Sequence, residues 1–198
     1  MNTFILQNEE IKSQIDIYFN ELKKVYEELD RNQYIEFISN LEQLRKSKKM
    51  IFAAGNGGSF SNADHLVCDL GKNLSNLDQH FSGFRAIPLS NGNSTLTAIA
   101  NDMAYSEVFS KNLELLSDPG DALICLSVSG ASPNILSALN TANRLGVITF
   151  GIYGFNGGEA ERLTRHPLLI KSKNFGIVED IQAIIFHTIV ETYKAKFV

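Results

Sequence analysis

No run in this chain approaches the ~20 consecutive apolar residues that a membrane-spanning helix needs, so no such span is expected. Cysteine is scarce. Cys68 and Cys125 are the whole complement, both in apolar sequence surroundings and with no framework spacing, which fits a reducing compartment. The leading segment MNTFILQNEE has neither a basic start nor a long apolar core, so no signal peptide is expected and the expectation is a cytoplasmic protein. Positive charge is in the minority: the formal net charge is −4, and no Lys/Arg block follows residue 50, which argues against nucleic acid as a partner. The one basic run, Arg45-Lys46-Ser47-Lys48-Lys49, falls where a helix gives way to a strand, and cations there favourably meet the helix C-terminus. Nucleotide signatures are missing too. The glycines lack the dinucleotide-motif spacing and no loop carries the P-loop lysine, so no nucleotide cofactor is expected. There are no internal repeats, low-complexity segments or linkers. What remains, 198 residues of 44% apolar content, suits a single domain over 1–198 with a full-sized core.

What is present is an alternation. Residues 8–28 carry Ile11, Ile15, Ile17, Phe19, Leu22, Val25 and Tyr26 at helical spacing, and a second helix is expected over about 32–46. These two leading helices (1–48) are not needed to close a βαβ sheet and are expected to pack on the sheet and on neighbouring subunits. Strands are then expected at 49–54, 86–89, 122–126, 147–153 and 168–171. Helices are expected at about 59–72, 94–100, 106–116, 133–145, 158–163 and 178–195, and an irregular loop at 73–84. Five strands alternating with helices mean an α/β fold with a five-stranded parallel sheet covered on both faces.

In such sheets ligands bind beyond the C-terminal strand ends. Three polar loops fall there. The first, Gly55-Asn56-Gly57-Gly58-Ser59, joins a buried strand to a helix, a ready anion site because free N–H groups and the positive dipole end point at the turn. A tight βα turn is the plainer reading of the same residues. Ser90-Asn91-Gly92-Asn93-Ser94 is the second. The third, Ser127-Val128-Ser129-Gly130-Ala131-Ser132-Pro133, places Ser132 as an N-cap and Pro133 at the first helical position. Its hydroxyls suit a small phosphorylated metabolite without a formal cation, although turn and cap chemistry also uses serine. Along the helix after the first loop, His65 and Asp69 are spaced i,i+4 and share a face.

The segments AGNGGSFSNADHL, LTAIAND, LSVSGAS and FGIVEDIQ together resemble the sugar isomerase (SIS) domain family, and within it the phosphoheptose-isomerase-like branch. The resemblance covers nearly the whole chain. It implies a flavodoxin-like parallel sheet, a homotetramer with sites between subunits, and aldose–ketose isomerisation of sedoheptulose 7-phosphate. It further implies that Ser127, Val128 (through its backbone), Ser129 and Ser132 bind the sugar phosphate. Asn56, Gly57, Gly58 and Ser59 would line the sugar, and Asn101 and Asp102 would contact substrate. His65 would be a zinc ligand, Asp69 a ligand and proton-transfer base, and Gln182 a ligand and substrate contact.

The chain departs from the family in three places. The family's loop threonine is Val128, its glutamate is the shorter Asp69, and its last-helix histidine, eight residues after the glutamine, is Val190. Valine neither binds zinc nor moves a proton. His187, five residues after Gln182, is the candidate substitute as a second acid/base, or else a histidine on an amphipathic helix. His80 and His166 are not expected in the site. His65 and Asp69 alone fall short of the three protein ligands of a catalytic zinc. A non-catalytic phosphosugar-binding SIS protein, resembling the one that associates with the replication initiator DnaA, is the rival reading, and an isomerase of another sugar phosphate is a third.

Overall fold

The computed structural model describes residues 7–75, 77, 81–90 and 92–196. Helices α1 (Asn8–Glu27) and α2 (Arg31–Lys46) lead into β1 (Met50–Ala54) and α3 (Gly58–Cys68), which continues as a π-helical turn, Asp69–Asn73. Then follow β2 (Arg85–Pro88), α4 (Asn93–Asp102), a one-turn 3₁₀ helix (Tyr105–Glu107), α5 (Val108–Leu116), β3 (Ala122–Ser127) and α6 (Pro133–Leu145). β4 (Ile148–Tyr153), α7 (Gly158–Leu163), β5 (His166–Leu169) and α8 (Phe175–Lys194) complete the order.

The five strands form one sheet, ordered β2-β1-β3-β4-β5 and parallel throughout, as the alternation requires. Successive side chains on a strand point to opposite faces. Ile51, Ala53, Ile124, Leu126, Phe150 and Ile152 enter the core shared with α1, α2, α3 and α8. Phe52, Ala54, Leu123, Cys125 and Tyr153 enter the core beneath α4 to α7. β3 is buried along all six residues because it lies at the centre and is covered twice.

Three expectations shift. β5 begins at His166 rather than Leu168, pairing Phe150 with His166 and Gly151 with Pro167. A proline lacks the N–H of a ladder bond, and an edge strand tolerates this because that side has no neighbour. His166 stacks against Phe150, lies 3.4 Å from the Glu36 carboxylate, and faces away from the polar loops. Cys68 is exposed, not in apolar surroundings, because it ends the outer face of α3, whereas Cys125 is fully buried and its thiol pKa is pushed up by desolvation. α4 runs on to Asp102, so Asn101 and Asp102 form its last turn. His80 and Asn91 lie outside the described residues. No described helix is long and apolar enough to cross a membrane.

The leading helices differ in how they are used. α2 buries Phe37, Leu41 and Leu44. α1 buries Val25 near its end, while Ile15, Ile17 and Phe19 remain more than half exposed. The basic run after Gln43 is spent locally. Arg45 grips Glu42 with two bonds of 2.8 Å and lies over the Phe81 ring, and Lys49 donates to the Pro119 carbonyl. Glu42 also accepts from the Tyr193 hydroxyl of α8 at 3.1 Å. These bonds, that of Arg45 first, hold the Glu42 carboxyl down from 4.5 to about 2. A carboxyl depressed on folding stabilises the fold above its unfolded pKa and loses that contribution as the pH falls through the folded one. Urea unfolding at stepped pH is therefore expected to show wild-type stability dropping more steeply than that of Glu42→Gln between pH 4.5 and about 2. Parallel curves would contradict the linkage.

Candidate active site

Strand order reverses at β1 and β3, the topological switch point where open α/β sheets take ligands. The register Ala54↔Cys125 sets residues 55–59 beside 127–132. Between them lies a cleft of about 220 Å³, lined on one side by Asn56, Gly57, Gly58 and Ser59. Leu126, Ser127, Val128, Ser129 and Ser132 form the facing side, and Phe175 and Glu179 of α8 close it. Gly57 takes φ 55°, a left-handed conformation that favours glycine, and sets the start of α3.

The serine loop is arranged as a donor set. Ser127 Oγ accepts from Gly130 N–H at 3.1 Å and Ser129 Oγ accepts from Ala131 N–H at 3.3 Å, which leaves both O–H groups to donate outward. Ser132 occupies the N-cap position of α6, but its hydroxyl makes no capping bond and so faces the cleft unspent. Three hydroxyls at a helix N-terminus make a donor set that suits an anion without a cation. Val128 turns its side chain into the core, 5% exposed.

A second constellation lies farther along α3. His65 Nε2 sits 3.4 Å from His187 Nε2 and 3.6 Å from Asp69 Oδ2, and His187 Nε2 lies 4.0 Å from that same oxygen. The π-helical turn that begins at Asp69 widens the helix here, and such insertions recur at functional sites. Asp69 is 2% exposed; its Oδ1 accepts from Asn73 at 2.6 Å, whereas Oδ2 is sealed and has no hydrogen-bond partner among the described residues. The two imidazoles are the exposed members, with side chains 45% and 58% accessible.

Gln182, expected as a ligand, is committed elsewhere. Fully buried, it donates to the Ile152 carbonyl at 3.2 Å and accepts from Asn62 at 3.1 Å and Ser59 at 3.4 Å. Val190 is packed in the core. The group with metal-ligand spacing is thus His65, Asp69 and His187, with donor atoms all within 4.8 Å of one another. Two imidazole nitrogens and a carboxylate oxygen are the donor set of a catalytic zinc, and ligands at ~2.0–2.1 Å from a tetrahedral ion stand about 3.3 Å apart. Distances of 3.4–4.0 Å and the unpartnered Oδ2 fit that group.

Asn101 and Asp102 pair with each other at 2.8 Å at the end of α4, exposed and outside the cleft lining. Asp180, one residue past Glu179, accepts from Tyr18 of α1 at 2.7 Å, and Tyr18, desolvated and bonded to that carboxylate, has its pKa pushed up to about 12. Sequence reasoning passed over Glu179, three residues before Gln182 and so on the same helical face, and over Asn62, Asn73, Tyr105, Asn134 and Phe175. The first of these had a visible signal in its i,i+3 spacing; the others are brought in by turns and helix starts that carry no motif.

The SIS domain family model matches residues 17–154. The chain belongs to the SIS domain family. It is 32% identical over 190 residues to the phosphoheptose isomerase of Geotalea daltonii, covering 95% of this chain and 96% of that one. It is 36% identical over 152 residues to that of Bradyrhizobium, covering 77% and 75%. These matches place it in the phosphoheptose-isomerase-like branch. Among solved structures, the phosphoheptose isomerase of Francisella tularensis superposes with a TM-score of 0.85 at 22% identity, covering 96% of this chain and all (100%) of that one, a likeness of fold.

Within this SIS fold the Gln182 amide is a clamp between α8, α3 and β4. Gln182→Met, of similar volume but unable to make the three bonds, takes a partner from the Ile152 carbonyl and from one of the two Asn62 amide hydrogens, the other staying on the Glu179 carbonyl, and is expected to lower unfolding stability by about 2 kcal/mol in urea denaturation. An unchanged midpoint would show the clamp to be idle.

Proposed function

We propose that this chain is an aldose–ketose isomerase that interconverts sedoheptulose 7-phosphate and D-glycero-D-manno-heptose 7-phosphate, supplying heptose for surface polysaccharide in the cytoplasm. The observation that carries the reading is a phosphate-type cleft joined by one helix pair to a cluster of proton-moving groups. α3 bears Ser59 in the cleft and His65 in the cluster, and α8 bears Glu179 in the cleft and His187 in the cluster. Ser127, Ser129 and Ser132 hold the phosphate, and Asn56, Gly57, Gly58 and Ser59 meet the sugar.

Isomerisation takes a proton from C1 and gives one to O2, forming an enediol, then takes one from O1 and gives one to C2. Two protons leave and two arrive. Because Asp69 Oδ2 is sealed, the sugar meets the exposed imidazoles first. His187 moves the carbon-bound proton, and the Asp69 carboxylate beneath it offsets the positive charge it then carries. His65, on the other side of that carboxylate, moves the oxygen-bound proton. Zinc, if bound, would be held by His65, Asp69 and His187 and would polarise the sugar carbonyl as a Lewis acid; it would occupy the same ring nitrogens, so that chemistry and proton transfer by these two imidazoles are alternatives.

Purified protein is expected to convert sedoheptulose 7-phosphate, followed by chromatography of the heptose product. Asp69→Asn and His187→Ala are each expected to lose on the order of 100-fold in rate, the scale of one acid–base group. Loss with chelator and return with zinc would assign the Lewis acid to the metal; activity untouched by chelator would leave the chemistry to the imidazoles. Binding without conversion of this or any other sugar phosphate would favour the non-catalytic relative. We also infer self-association, as the homotetramer that the family resemblance implies, because Ile11, Ile15 and Phe19, spaced i,i+4 on one face of α1, are 40%, 51% and 63% exposed. Phe19→Asp is expected to give a smaller species in light scattering, and an unchanged mass would place the interface elsewhere.

A further inference from the structure

The Asn56 side chain is held from two directions. Its Oδ1 accepts from the Tyr105 hydroxyl at 3.0 Å and from Asn134 Nδ2 at 2.9 Å, while its own Nδ2 donates to Asn134 Oδ1 at 2.8 Å. Asn134, 2% exposed on the first turn of α6, is fixed by burial. A carboxamide has two acceptor lone pairs and two N–H hydrogens. Both lone pairs of Asn56 and one hydrogen are therefore spent, and one N–H remains beside the cleft.

The Asn56–Asn134 pair alone does not fix this. Two amides that bond reciprocally do so equally well if both turn over, and Asn56 would then keep a lone pair free instead. Tyr105 removes that equivalence, because a phenol hydroxyl, its oxygen conjugated with the ring, donates better than it accepts. The geometry points to Tyr105 as a positioning residue that fixes Asn56 as a hydrogen-bond donor toward a carbonyl or hydroxyl oxygen of the phosphosugar. Tyr105 itself lies outside the cleft lining, 57% exposed on its one-turn helix, and acts through Asn56. The sugar class follows on the isomerase reading above: a ligand with an acceptor oxygen at that place is favoured, and bare phosphate, seated in the serine loop, is indifferent to it.

Tyr105→Phe tests this with two readouts on the intact protein. The first needs no sugar. The Asn56 side-chain ¹⁵N–¹H₂ pair, assigned by its loss in Asn56→Ala, is expected to be sharp in wild type and shifted and broadened in the variant. The second is calorimetric binding of sedoheptulose 7-phosphate and of inorganic phosphate. The variant is expected to weaken the sugar phosphate by roughly 3- to 10-fold, the scale of one hydrogen bond, and to leave inorganic phosphate unchanged. An unaltered Asn56 signal overturns the inference, as does equal weakening of both ligands or of neither. If wild type fails to bind sedoheptulose 7-phosphate, the isomerase reading falls, and the Asn56 signal still decides the role of Tyr105.

Discussion

Everything in the site depends on β1 and β3 lying side by side and parallel. Parallel strands end together, so their following loops must meet, and the strand order sends the chain to opposite faces from those two strands. α3 then starts on one side of the crevice and α6 on the other, each aiming backbone N–H groups into it. The serine loop adds hydroxyl donors in place of a cation, which suits a monoanionic or dianionic phosphate in a chain of net charge −4.

The second constraint is the seam between α3 and α8. Gln182 joins the two helices to β4 through three hydrogen bonds, and with no exposure at all it fixes their separation. That separation lets His187 reach His65 and Asp69. The histidine that the family resemblance puts eight residues after the glutamine is a core valine here, and the acid four residues after His65 is the shorter Asp69. The shorter carboxylate and the earlier histidine meet in this structure: Asp69 Oδ2 lies 3.6 Å from His65 Nε2 and 4.0 Å from His187 Nε2.

The sheet and the place of the serine loop at a helix start were legible in the sequence because their signals are local: apolar runs, a Ser-Pro helix start, glycines at strand ends. β5 starts two residues before the expected Leu168, and Pro167, which lacks a ladder N–H, is acceptable within it only because the strand lies at the edge. The meeting of His187 with His65 spans 122 residues and depends on how two helices are packed, so spacing within either helix could not supply it. The same holds for Gln182: motif position names it as a ligand and substrate contact, and only the packing shows its amide bonded to Ile152, Asn62 and Ser59. Asn134 and Tyr105 carried no signal, since each gains its meaning only from contact with Asn56.

The most direct test of the account is solvent exchange. Sedoheptulose 7-phosphate incubated with the protein in D₂O would be followed by proton NMR. Proton transfer at the His65–Asp69–His187 cluster predicts deuterium entering C1 of the ketose and C2 of the aldose, with exchange slowed on the order of 100-fold in His187→Ala. Exchange that persists undiminished in that variant, or conversion of the sugar with no deuterium incorporated, would contradict a solvent-exchanging enediol route at this cluster.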